Sequence, residues 1–400
     1  MPRLNLISPI FPGGDKSEIS QGSIDVINAY VEFSGNEAFF RLRPGLSEAY
    51  STGQTGKVYL FWWETRGYLI ACVNRRILVK ITKVRNWIDI TPVNSCDSLP
   101  YNGYVFFSAD EYGVTMCAGR HMLWWGGDVS QKAQRITQVN QSVTALTYLK
   151  GYTIASLQNT QNFITATYGP TDNRSQPPTW NPLFLTASSQ PDNIITLSSG
   201  WEELFILGRD STESHYATGN SEIPFQLLNG SVGEIGIVNN RCLAKIANSY
   251  VFVTPNKEIV RMNGRTAEVI SRPINDQLQG FNVDRSEAFA MFNRFYVVTF
   301  TKDDVTFVFD TVTNLWYKWL SWNTEQDKYN RFPGVSCVNA KSWGQQIVGG
   351  QDGQVYVANY AENTDAGNVI RLEITTANID YGTLKRKFPQ NLTFRLKRGY

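Results

Sequence analysis

Histidine is nearly missing from this sequence of 400 residues: only His121 and His215 occur. That removes most imidazole-based acid–base chemistry and most zinc chemistry. The five cysteines, Cys72, Cys96, Cys117, Cys242 and Cys337, are scattered, odd in number and form no CxxC. Free thiols in a reducing compartment are therefore a simpler reading than a disulfide framework or a zinc site. No apolar run approaches the ~20 residues of a membrane helix; the longest strong one is VYLFWW at 58–63, so no membrane insertion is expected. The opening MPRLNLISPIFPGG has no apolar core followed by a small-residue cleavage site, and no signal peptide is read from it. A surplus of one charge is lacking too. Lys and Arg number 37 against 35 Asp and Glu, a net +2, without the basic excess of a dedicated nucleic-acid binder. No phosphate loop is found, because GGQDGQ at 349–354 reads as a hairpin turn, not as a glycine-rich loop opening a helix.

What is abundant is aromatic: 11 Trp, 19 Tyr and 22 Phe. Such side chains suit strands and buried sheet faces. With 42% apolar and 18% charged residues, the chain reads as globular. Pro9, Pro12, Gly13 and Gly14 break the first segment; IDVINAYVE and FFRLRPGLSEAY then read as short strands, the second interrupted by a Pro44-Gly45 turn. From Val58 one pattern recurs: apolar strand, polar turn, strongly apolar strand, turn, third strand. Its copies start at Val58, Tyr104, Val143, Asn193, Arg241, Ser286 and Val335, which lie 39 to 50 residues apart. Four-stranded propeller blades recur at about 40–50 residues. The expected fold is all-β, a β-propeller of six to seven blades with a short C-terminal β extension; a pair of sandwiches or a β-solenoid is the alternative. The six-blade count arises because the N-terminal strands can serve to close the ring. The expected division is 1–57 as N-terminal arm and ring-closing strands, 58–362 as propeller, and 363–400 as extension, where RLEITTANID and NLTFRLKRGY alternate like half-exposed strands.

Several motifs read as structure. SADEYGVTM at 108–116 nearly spells the Asp-box of sialidase-like propellers, with one extra residue before Gly113 and Met116 where an aromatic is expected. Even a true Asp-box caps a hairpin. In FVFDTVTNLWYKW at 307–319, Asp310 and Asn314 are expected to satisfy turn amides while Trp316 and Trp319 begin the return strand. QPPTWNP at 176–182 reads as a rigid loop and contact site. The carboxylates Asp303, Asp304 and Glu325 fall in turns or loops, and glycoside hydrolysis needs two facing ones within ~10 Å. No arginine triad or Tyr/Glu pair is identified, so catalytic, cofactor and metal residues are read as none, and the chain as not an enzyme.

Two basic clusters are candidate interaction surfaces. One holds Arg66, Arg75, Arg76, Lys80, Lys83 and Arg85; the other holds Lys385, Arg386, Lys387, Arg395, Lys397 and Arg398. Each is a solvated face, or a surface for an acidic neighbouring subunit or for DNA phosphates in a channel. A competing reading is a carbohydrate-binding or glycan-hydrolysing propeller acting on the host surface, with Trp62, Trp63, Trp124 or Trp125 stacking on sugars, although these four read more readily as buried strand aromatics.

IDVINAYVE…FFRLRPGLS, with Asn28, Tyr30, Pro44, Gly45 and Leu46, resembles the opening of the packaged-DNA stabilisation, or tail hub, proteins of short-tailed bacteriophages. The stretch 188–220 resembles their central segment through Gln190, Pro191, Asp192, Trp201, Ser211, Thr212, Glu213, Thr218 and Gly219, and GSVGEIGIVNNRCLAKIANSYVFVTPN continues the match. Members continue into a fuller C-terminal β domain, whereas this sequence ends at Tyr400. The resemblance implies a structural component of the virion tail, assembled in the host cytoplasm. It implies a homo-oligomeric ring, a hexamer, below the portal or adaptor ring. That ring would carry tailspikes or fibres, receive the tail needle and help retain packaged DNA.

Overall fold

The computed structural model describes residues 25–34, 37–92, 104–117, 121–187 and 189–375. Strands dominate, and they form seven blades around one axis, so seven rather than six is the blade number. Blades 1 to 6 begin with the innermost strands Tyr59–Trp63, Phe106–Ala109, Val143–Leu149, Ile194–Gly200, Ala244–Ile246 and Ser286–Met291; blade 7 begins with Gly334–Ala340. These fall at the sequence repeat. Each is followed outward by antiparallel strands, and the innermost strands of neighbouring blades lie side by side.

The second strands are strongly apolar because both their faces are covered. Phe295–Phe300 and Ser249–Val253 are buried at every position. Six hydrophobic clusters fill the spaces between blades. A blade alone could not cover these faces, so stability belongs to the ring. Two-residue hairpins such as Asn74-Arg75 and Trp201-Glu202 take positive φ at both positions, the turn whose twist matches the flanking strands.

Successive strands in a blade are antiparallel. The first-to-second and third-to-fourth turns therefore share one face, here called upper. The second-to-third turns and the blade-to-blade connections share the lower face.

Blades 6 and 7 are completed by both ends of the described chain. Asp25–Ile27 lies parallel to Leu315–Lys318, the fourth strand of blade 6, and Glu373–Thr375 adds outside it. A hairpin, Ala29–Ser34 and Glu37–Leu42, follows. The chain then returns as Gly45–Ser51, the fourth strand of blade 7, paired with Gln354–Asn359. Pro44-Gly45 is thus not a turn. Gly45 starts an extended strand, and glycine is needed there for close approach: a Cβ would lie 2.5 Å from the Glu362 carbonyl oxygen and 2.6 Å from that of Thr364.

Candidate interaction surfaces

The closure of the ring is held by buried polar groups. Asn28, at φ 62°, and Arg43 are both buried. Arg43 donates from Nε to Asn28 Oδ1 (2.9 Å) and from Nη1 to Asp365 Oδ1 (2.9 Å) and the Pro44 carbonyl (3.1 Å). Its Nη2 donates to Asp365 Oδ2 and to the Leu320 carbonyl (3.2 Å). Asn28 Oδ1 also accepts from the Leu320 amide (2.8 Å), and Asn28 Nδ2 donates to the Arg371 carbonyl (2.8 Å). This is a forked, charge-assisted pair with its remaining donors matched, the arrangement that makes a buried ion pair tolerable. Tyr30 beside it packs edge-on to Phe295 and lies under Arg294, which grips Asp310 through Nε (2.8 Å) and Nη2 (2.7 Å). The motif residues Asn28, Tyr30, Pro44, Gly45 and Leu46 are therefore parts of the ring closure. Arg43 and Asp365 carry most of its polar contacts, and no local pattern in the sequence marks them.

The axis is crossed by side chains. Glu287, on the innermost strand of blade 6, accepts from Lys57 Nζ ahead of blade 1 (2.7 and 2.8 Å) and from Arg241 Nη1 ahead of blade 5 (3.2 Å). Blades 1, 5 and 6 are not mutual neighbours, so these groups can meet only at the centre. Tyr59 and Tyr104, from blades 1 and 2, pack edge-on at 5.0 Å in the same place. Burial, then the Glu287 charge, pushes the Tyr104 hydroxyl up to about 12. The lower end of the axis is a packed polar core.

On the upper face neighbouring blades are tied pairwise. Trp63 Nε1 donates to the Asp110 carbonyl (2.9 Å), and Arg174 of blade 3 stacks on Tyr112 of blade 2 (5.0 Å). Lys150 pairs with Glu202 (2.8 Å), and Arg265 with Glu203 (2.7 Å). Asn293 Oδ1 accepts from the Ala247 amide (2.9 Å), Gln346 Oε1 from Phe292 (3.2 Å), and Lys341 reaches Glu64 (3.5 Å). These contacts run around the whole ring.

The motifs singled out above take structural places. Asp110 Oδ1 accepts from the Tyr112 (2.7 Å) and Gly113 (2.8 Å) amides, a hairpin cap. Gly113 leaves room for the Trp124 ring, and Met116 enters the core in place of an aromatic. Asp310 caps its turn through the Val312 amide (3.0 Å), but Asn314 instead takes a left-handed φ of 55°. Gln351–Gly353 links two strands of blade 7. Asp192 Oδ2 accepts from the Asp210 and Ser211 amides and the Ser211 hydroxyl, so that part of the central segment is also a turn cap.

Trp62, Trp63, Trp124 and Trp125 are buried between blades, in keeping with the reading of them as strand aromatics, and offer no sugar-stacking faces. The first basic cluster is divided rather than continuous. Arg75 and Arg76 stand at a lower turn; Arg66, Lys83 and Arg85 stand on the upper face; Lys80 is buried, donates to the Arg85 carbonyl and lies 4.6 Å from the Tyr50 ring centre. Arg76 is drawn to Asp89 (3.2 Å). Cys96 and the second cluster, Lys385, Arg386, Lys387, Arg395, Lys397 and Arg398, lie outside the described residues, as does most of 363–400.

His215 and Glu213 form a pair at 3.0 Å, but both side chains are about 5% exposed and no substrate could reach them. Asp303 accepts from the Asn282 amide, and Asp304 faces Arg331 at 3.7 Å. An open groove of 360 Å³ on the rim of blade 7 is lined by Trp322, Glu325, Pro333, Asp352, Tyr356 and Val369. Its Asp352 is engaged by the Gln354 amide and the Tyr356 hydroxyl. Among the described residues no three His, Cys, Asp or Glu side chains are grouped to hold a metal, and no helix is long and apolar enough to cross a membrane.

The profile of a family of phage stabilisation proteins, described as bacteriophage P22 Gp10, β-propeller, matches residues 29–362. That span runs from the residue after Asn28 to just short of Asp365 and takes in all seven blades. No curated protein matches the chain in sequence. Among solved structures, one titled as a streptogramin B lyase superposes with a TM-score of 0.52 over 79% of this chain and 98% of its own, at 10% identity. At that identity the likeness is one of fold alone.

Proposed function

Because the chain belongs to the phage stabilisation family typified by the P22 Gp10 β-propeller, a structural family of the phage tail, we propose that it acts mechanically, as a hub in the virion tail. Copies of the propeller form a ring, a hexamer, beneath the portal or adaptor ring. The ring holds tailspikes or fibres and the tail needle, and helps keep packaged DNA inside. The observation that carries this reading is the family match over the whole propeller. The filled axis supports it: with Lys57, Arg241 and Glu287 meeting at the centre, the disc offers its partners outer surfaces, and any DNA path lies between copies. The reading includes no catalytic step. The carbohydrate alternative has lost the four tryptophans it relied on.

The test is a phage carrying a stop codon early in this reading frame, complemented or not by the full chain. Uncomplemented particles should package DNA, then lose it and lack tail appendages; complementation should restore both. Particles that retain DNA and appendages without the chain would refute the proposal.

A further inference from the structure

The charges of the disc are unevenly shared. Around blade 1 the chain carries Lys57, Arg66, Arg75, Arg76, Lys80, Lys83 and Arg85 against Glu64 and Asp89. Around blade 4 it carries Asp192, Glu202, Glu203, Asp210, Glu213 and Glu222 against Arg209. Blades 1 and 4 are separated by three steps of the seven-blade ring in one direction and four in the other, so they face nearly opposite ways. Most of these groups are already engaged. Glu202 and Glu203 tie blades together, Glu213 holds His215, and Lys57 crosses the axis.

The upper rims of these two blades also carry a pair of matching loops. Each is the third-to-fourth turn of its blade, so the two stand at the same height on the outer edge. In blade 1 it presents Lys83, Val84 and Arg85, all exposed, with Val84 at 91%. In blade 4 it presents Glu222 and Ile223, with Tyr216 at its base, exposed at 46% for Ile223 and 40% for Tyr216. Both loops are held in shape. Arg85 N donates to Thr82 Oγ1, and Lys80 reaches the Arg85 carbonyl from below. Glu222 N donates to Asn220 Oδ1 (2.8 Å), and Thr218 N to the Pro224 carbonyl (2.9 Å). Pre-shaped loops lose little freedom on docking.

We infer that these loops are the two halves of a contact between copies of this chain: the Lys83-Val84-Arg85 loop of one copy seats against the Glu222-Ile223 loop and Tyr216 of the next. The charges are complementary and would steer and orient the contact. The apolar residues between them give it a surface to dehydrate. Two different patches on one molecule make a head-to-tail contact. Copies lying the same way up can therefore add one after another, and they form a ring where the rotation between neighbours closes. The inference rests on the proposed self-assembly and names the surface that would produce it.

The experiment uses the full chain and follows self-association by sedimentation across a concentration series at low and high salt. R85E and E222K should each weaken association by about tenfold or more. Both positions are exposed, so thermal midpoints should stay unchanged. R85E/E222K on one chain should restore association, because every contact then carries the reversed pair. Salt should weaken the wild type. If the wild type forms a ring and the single variants assemble equally well, or the double variant fails to recover, this surface is wrong and the hub reading stands. A wild-type chain that stays monomeric throughout would remove both.

Discussion

Arg43 and Asp365 stand 322 residues apart in the sequence and meet as a forked ion pair inside the protein. Arg43 comes from the segment entering blade 7, and Asp365 from the short strand outside it. Between them they lock the last blade to the first residues of the described chain. Removing one partner leaves the other charged and buried, a loss of about 3–5 kcal/mol. Arg43→Met and Asp365→Leu should each lower the thermal midpoint markedly. Arg43→Met/Asp365→Leu should cost less than the sum of the two single changes, since it leaves no orphaned charge. Urea titration of the four proteins checks the cycle.

Gly45→Ala tests the same closure sterically. The new methyl would press on two backbone carbonyls, neither of which can swing aside. The expected loss is about 1–3 kcal/mol, with earlier protease cleavage near residue 45. Ser47→Ala, which gives up only a long 3.3 Å bond to the Val357 carbonyl, should behave almost like wild type. Equal sensitivity of the two variants would argue against close packing at Gly45.

At the axis, Glu287→Ala leaves Lys57 and Arg241 facing each other without their common carboxylate. A loss of about 3 kcal/mol or more is expected. Lys57→Met in the same background should recover part of it by relieving the repulsion between the two cations. Differential scanning calorimetry of the single and double variants measures both effects.

Acid should act through Glu213. Burial pushes its carboxyl up, but hydrogen bonds from His215 and Ser189 outweigh that and leave it below its ordinary value. A carboxyl with a lowered folded pKa contributes stability above its unfolded value, near 4.3, and loses it as pH falls through the folded value. Wild-type stability should therefore decline below about pH 4.5. Glu213→Gln should be weaker at neutral pH and flatter across that window. Urea midpoints from about pH 6 to about pH 3 give the comparison.

The buried thiols give a simple check on ring integrity. Cys72, Cys117 and Cys242 are buried. Burial raises the Cys72 and Cys242 thiols and pushes that of Cys337 up to about 12. None of the four should react with a thiol reagent at neutral pH until the ring opens. Prompt labelling of Cys72 in the folded protein would contradict the packing between blades 1 and 2.

The repeat was readable because blades bury both faces of their middle strands, so each copy carries an apolar run such as the one around Phe295–Phe300. The fourth strands of blades 1 to 3 were not readable, because Ile88–Asp89, Gln134–Arg135 and Thr179–Trp180 are two residues long and lie at the rim. The aromatic pairs at 62–63 and 124–125 could be read as core or as surface, since a strand pattern alone does not reveal what covers its outer side. The polar centres were invisible for a different reason. Lys57 and Glu287, like Arg43 and Asp365, are joined by topology, and neither pair carries a local pattern. Basic residues close in sequence also proved a poor guide to surface: a two-residue hairpin sends Arg75 to one face and its neighbours in the next loop to the other.

The fourth strand of blade 7 has a consequence for synthesis. Ser47 and Val357, bonded across that sheet, are 310 positions apart. Gly45–Ser51 must wait, unpaired, until the partner strand some 310 positions later has been made. Until then blade 7 has no outer strand, and the growing protein is an open arc with two exposed edges. A chaperone or an early partner that covers either edge would govern how many nascent chains become closed rings rather than joining their free edges to one another.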